Sequence, residues 1–169
     1  MRNFLILFFI SLLLPQFSQA ASPTIEEQVI MNSFALYQTA LVYDEVCNGH
    51  DPKDRYDLKK PENVRLLGNE QLLAARFGGV EHGRFPDKSV DEMVAKMTGF
   101  SKMIKGKAKE TLDSKGCDSE AAQSGEKALK LFTTVIPAQL NELLDAQIKK
   151  QGGTVTSLGE IEGSTGKSQ

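Results

Sequence analysis

The chain has 169 residues, 40% hydrophobic, 25% charged and 7% aromatic, and 20 Lys+Arg against 22 Asp+Glu give it a net charge of −2. That length suits one domain, the apolar fraction excludes a wholly disordered chain, and the charge balance denies it the basic footprint of a nucleic-acid binder. Two cysteines are too few for a disulfide-dense mini-scaffold.

The N-terminus reads as an export signal. Arg2 supplies a short positive start, and Phe4 to Leu14 is an apolar run broken only by Ser11. Pro15 ends any helix there, because it lacks an N–H and clashes with the preceding turn. Ser18-Gln19-Ala20 then places small residues three and one positions before a cleavage point. This is the three-part layout of a secretory signal peptide, so residues 1–20 are expected to be removed. The run makes about 16 Å of helix, roughly half the hydrocarbon core, which argues against a retained membrane anchor. The mature chain is expected to be exported, periplasmic or secreted. Ala21, not a cysteine, stands directly after the cleavage point, which speaks against a lipid anchor, and the lack of an Asn-x-Ser/Thr acceptor favours a bacterial source.

Thr24-x-x-Glu27, preceded by Pro23, forms a capping box that opens a helix. Ile25, Val29, Ile30, Phe34, Tyr37, Leu41 and Val46 recur at spacings of three to five and predict a buried stripe ending near Cys47, before Asn48-Gly49. Residues 48–60 are polar and carry turn signals, which predicts an exposed loop. A second helix is expected from Pro61 through Leu66, Leu67, Leu72, Leu73 and Phe77, with a kink or restart at Gly68-Asn69. A breaker-rich stretch, 78–88, follows, with one further helical turn around Val80 to His82.

Ser89-x-x-Glu92 is a second capping box. It opens a third helix with Val90, Met93, Val94, Met97, Phe100, Ile104, Ala108 and Leu112 on its apolar side, closed by Lys115 and Gly116. Asp118 or Ser119 caps a fourth helix that runs to Lys150 and bends at Pro137, losing the hydrogen bond to Thr133. Residues 153–169 hold Val155, Leu158 and Ile161 as their large apolar side chains, too little to offset ordering entropy, and are expected to be disordered. The expected fold is all-α: a four-helix bundle-like single domain over 21–152, with antiparallel neighbours, one disulfide and a disordered C-terminal tail.

In such a bundle, Cys47 at the end of the first helix and Cys117 after the third share a pole. Export and an even cysteine count then predict a Cys47–Cys117 disulfide. The rival is a zinc set of Cys47, His50, His82 and Cys117. His82 and Cys117 lack the short paired spacing of zinc motifs, so no metal is expected.

Enzymatic signals are sparse. Asp51, Asp54 and Asp57 lack the alternate oxygens, central glycine and terminal Glu of a calcium loop, and Lys53, Arg55, Lys59 and Lys60 offset them. Glu81-His82 holds an acid and a base, but successive helical residues point about 100° apart. No nucleophile elbow, zinc-protease pair, phosphate loop or dinucleotide fingerprint is present, and neither cysteine sits in a C-x-x-C pair. No cofactor is expected. Lys102, Lys105 and Lys109 share a helix face, which reads as a solvated back or as a contact for an anionic membrane or an acidic partner. Met93 and Met97 read as core filler.

The leading functional expectation is an exported, non-enzymatic helical module that binds a protein partner, as an adaptor, an inhibitor or a secreted host-directed factor. A carrier of an apolar or amphipathic small ligand between the helices is the alternative, and a small hydrolase using Glu81 and His82 is a third reading. Candidate contacts are His50 and Tyr56 in the first breaker-rich segment and His82, Arg84 and Phe85 in the second, at opposite poles. The second is preferred. Phe85 precedes Pro86 and is pushed to extended backbone, and an aromatic beside an arginine has hot-spot composition. The competing reading has Phe85 plugging the end of the core.

Overall fold

A computed structural model describes residues 22–156. The expected signal segment and residues 157–169 of the expected tail lie outside them. The first helix, α1 (Ile25–Cys47), starts where the sequence places it: the Thr24 hydroxyl accepts from the Glu27 N–H, and the Glu27 carboxylate accepts from the Thr24 N–H. Its buried residues include Val29, Ile30, Phe34, Ala35, Tyr37, Ala40, Leu41 and Val42. They are spread round the helix rather than confined to one stripe, the pattern of a central element covered on several sides. The other helices pack against it.

A short 3₁₀ turn (Pro52–Tyr56) leads into α2 (Pro61–Arg84). This helix runs unbroken through Gly68-Asn69, where a kink or restart was expected, and continues through Gly78, Gly79 and Gly83. A helical glycine costs about 1 kcal/mol against alanine. Burial of Leu73, Phe77 and Val80 on the core side offsets that cost. The Asn69 amide, fully buried, donates at 2.9 Å to the carbonyls of both Phe132 and Val135. The residues that read as a helix breaker are thus contacts to a distant segment.

The third helix, α3 (Val90–Lys115), carries the Ser89 capping box and ends at Gly116, whose φ of 79° suits a residue without a side chain. The predicted fourth helix is two: α4 (Glu120–Thr134) and α5 (Pro137–Lys150). The expected bend at Pro137 is a full break. Val135 and Ile136 are extended (ψ 141° and 159°), because the ring of Pro137 disfavours helical backbone at the preceding residue. Pro137 then becomes the first residue of α5, where its missing N–H costs nothing. The freed carbonyls of α4 find partners on α2: Asn69 takes two, and Arg65 donates to Thr133 O at 3.3 Å.

The result is an all-α, four-helix-bundle-like arrangement whose fourth rod is broken in the middle. Its core joins Phe34, Phe77 and Phe100, with ring centroids 5.7–6.2 Å apart, and Tyr37 meets Phe132 edge-on at 5.1 Å. Burial first, and then the charge of Glu70, push the Tyr37 phenol well above its ordinary range. A second cluster of Val42, Leu112 and Ala122 lies nearer the pole of the Cys47–Cys117 disulfide, which forms as expected with Cα atoms 5.6 Å apart.

Among the described residues, Glu26, Glu27, Arg76 and Glu81 are charged groups buried in the opposite half. Arg76, 3% exposed, donates to Glu26 at 3.0 Å, to Asp145 at 2.8 Å and to Asn141 at 3.0 Å, joining α2 to α1 and α5. Glu26 also accepts from the Thr156 N–H and hydroxyl, while the Gly153 N–H donates to Ile148 O. Residues 153–156 therefore lie along the first turn of α1.

Candidate interaction surface

The two breaker-rich segments occupy opposite poles. At the disulfide end, His50 Nδ1 lies 2.9 Å from an Asp44 carboxylate oxygen, with the ring otherwise exposed. Tyr56 and Leu58 stand in solvent at 65% and 64% exposure. Arg55, between them and α1, is tied to Glu45. At the other end Arg84 reaches back to Glu27 of α1 at 3.6 Å, so its guanidinium helps clasp α1 to α2. Phe85 is half-buried, with Lys88 Nζ 4.1 Å, Lys96 Nζ 5.0 Å and Arg84 Cζ 5.2 Å from its ring centre. Cations over an aromatic face are attracted by its quadrupole. The ring gathers three of them.

The acid and base of the hydrolase reading are differently employed. The Glu81 carboxylate is buried and bonded to Lys96, while His82 is half-exposed on the next helical position. The zinc set is unavailable, since both of its cysteines are consumed by the disulfide. Among the described residues no three of His, Cys, Asp or Glu converge as a metal site, and no helix is long and apolar enough to cross a membrane.

What sequence reasoning missed is how little of the apolar side of α3 is buried. Its apolar stripe was expected to be buried, yet of its 26 residues only Leu112 is fully so. Phe100 reaches the core, but Val90 is 68% exposed and Val94 49%. The reason is tertiary. At 100° per residue, Val90, Val94, Ala108 and Leu112 share one face. Its C-terminal half is covered by Val42 of α1 and Ala122 of α4. On the same side Met97 packs against the main core, and Val90 and Val94 at the start of the helix are left exposed.

Beside this stripe, α1 and α3 enclose a shallow, solvent-open groove of about 790 Å³. Val42 and Val46 of α1 contribute its apolar wall, and Lys102, Lys105 and Lys109 of α3 form its basic edge, with Gly106 among them. The signal was present in the sequence: Lys96 to Lys109 holds five lysines and no acid in a chain of net charge −2. Periodicity alone does not say which side of that run borders a cleft. No protein-family model, curated protein or solved structure matches this chain.

Proposed function

We propose that this is an exported helical interaction module and that α3 is the element it presents to a protein partner. The observation that carries the reading is the exposed start of the α3 stripe, Val90 and Val94, beside a basic groove. The two valines stand one helical turn apart, so a partner can bury both against the same face while its acids meet the lysines. Export is supported by the signal-like residues 1–20 and by the disulfide, which suits an oxidising compartment. A ligand carrier is less well supported, because the space between the helices is filled by the Phe34, Phe77 and Phe100 rings and by Tyr37 against Phe132.

The direct experiment places a photo-cross-linking residue at Val90, at Val94 or, as a control, at the exposed Glu142 of α5, in the protein exported by its native cells. A discrete cross-linked protein is expected from Val94 and not from Glu142. Absence of any adduct at both α3 positions would refute the reading. Mass spectrometry of the exported chain is expected to show an N-terminus at Ala21.

A further inference from the structure

We propose that the groove between α1 and α3 takes an acidic amphipathic helix, whose carboxylates pair with Lys102, Lys105 and Lys109 and whose apolar residues rest on the partly exposed Val46. The inference rests on α3 being the partner-facing element and names the chemistry of what it meets.

Charge is the first argument. The three lysines stand at i, i+3 and i+7, on one side of the helix, and all border the groove. Among the described residues, neither Lys102 nor Lys105 has a carboxylate within ion-pairing distance. Lys109 pairs with Asp113 at 3.1 Å, but as an exposed i,i+4 contact that water and salt weaken. Glu45, the acid bordering the groove, is already bonded to Arg55. The basic edge is therefore poorly compensated from within the fold.

Shape is the second. Along α3 the groove runs from Thr98 to Lys109, about 16 Å, or three helical turns. A small anion needs cations that converge. These are strung along an edge, which suits carboxylates repeated on a second helix. An anionic bilayer is the other chemistry that lysines attract, but Val46 is set between two helices, where a flat surface does not reach.

Gly106 is the third. A β-carbon there would meet nothing within 4 Å, and the same holds for Gly99 one heptad earlier. Glycine weakens a helix interior, and the protein's own packing supplies no reason for it here. Close approach of a partner backbone supplies one.

The test uses the full mature protein and a fluorescein-labelled helical peptide of about 16 residues, with Glu at i, i+3 and i+7 and Leu on the adjoining face. Its comparison is the same peptide with Gln for Glu. Fluorescence anisotropy is expected to show the Glu peptide binding at least about tenfold more tightly than the Gln peptide, and more weakly as salt rises. The Lys102→Gln/Lys105→Gln/Lys109→Gln variant is expected to lose about tenfold in affinity, while Lys127→Gln/Lys130→Gln on α4 loses none. Gly106→Leu separates binding from folding: its melting temperature is expected to hold or rise while peptide binding falls. No binding of the Glu peptide, equal binding of the two peptides, or full binding by the triple variant would overturn the proposal. So would tight binding to phosphatidylglycerol vesicles that Gly106→Leu leaves unchanged, which assigns the lysines to a lipid surface. A partner that still cross-links at Val94 in the triple variant sinks this inference alone. Loss of all α3 cross-links removes the broader reading with it.

Discussion

A β-carbon on Gly68 would lie 2.8 Å from Cγ of Pro137, so the middle of α2 and the start of α5 touch where neither has room for another atom. The proline that ends α4 is seated on the one residue type that lets α2 pass. We expect Gly68→Ala to destabilise the protein although alanine is the better helix former. Overpacking against a rigid ring costs about 1–3 kcal/mol, against a gain of about 1 kcal/mol in helix propensity. Urea unfolding, with a lower midpoint in the variant, checks this. A stabilised Gly68→Ala protein would mean the two helices are not in contact.

Removing the Arg76 side chain leaves Glu26 and Asp145 facing one another without a counter-charge at a largely buried site. Breaking a buried pair from one side costs about 3–5 kcal/mol. Arg76→Ala is therefore expected to be among the most damaging substitutions in the chain. Glu26→Ala also deletes the acceptor that holds Thr156. It is expected to expose residues 153–156 to protease, read as faster cleavage just after Gly152. Unchanged cleavage would show that the segment is held by Gly153 and Val155 instead.

Cys47 and Cys117 are 70 positions apart in sequence. A cross-link closing a loop of that length is credited with about 4 kcal/mol through the entropy of the unfolded chain. Cys47→Ser/Cys117→Ser is expected to lose up to that amount, and native protein treated with an alkylating agent is expected to show no mass increase. Two alkylated thiols in the unreduced protein would contradict the bond.

Alkaline pH should find Tyr37. Its phenol is held neutral by burial, and its hydroxyl donates to Leu66 O at 3.2 Å. The folded-state pKa is raised above the unfolded value of about 10. The unfolded state therefore releases its proton first. The stabilisation is complete below about pH 10 and is lost progressively as pH rises beyond it. Tyr37→Phe is expected to cost about 1 kcal/mol at neutral pH and to flatten the fall in stability above about pH 10. An alkaline limb as steep in the variant as in the parent would assign that limb to other groups.

The site was only partly legible in advance. His50 and Tyr56 lie in the connection after α1, whereas His82 and Arg84 belong to the last turn of α2 and only Phe85 falls in the connection that follows. What the pattern did not disclose is how each is used. Arg84 reads as an exposed anchor, yet Glu27, 57 residues earlier, draws it onto α1. The α3 stripe reads as one continuous apolar side, yet Met97, Phe100 and Leu112 reach the interior while Val90 and Val94 stand in solvent.

The same division runs through the fold. Sequence alone determined the helical class, the Thr24 and Ser89 caps, the stop at Gly116 and the shared pole of the two cysteines. Each depends on residues within a turn or two of one another, or on the count and direction of helices. Whether a local breaker breaks was decided elsewhere. Gly68-Asn69 stays helical because Pro137 leaves no room for a side chain and the carbonyls of Phe132 and Val135 need a donor. Pro137 ends α4 outright because Asn69 and Arg65 are there to satisfy the carbonyls the break exposes. A backbone group left unpaired in the interior costs about 1–3 kcal/mol, more than most local propensities supply. Its partner here lies more than sixty residues away, so only the packed chain settles which of the two segments bends.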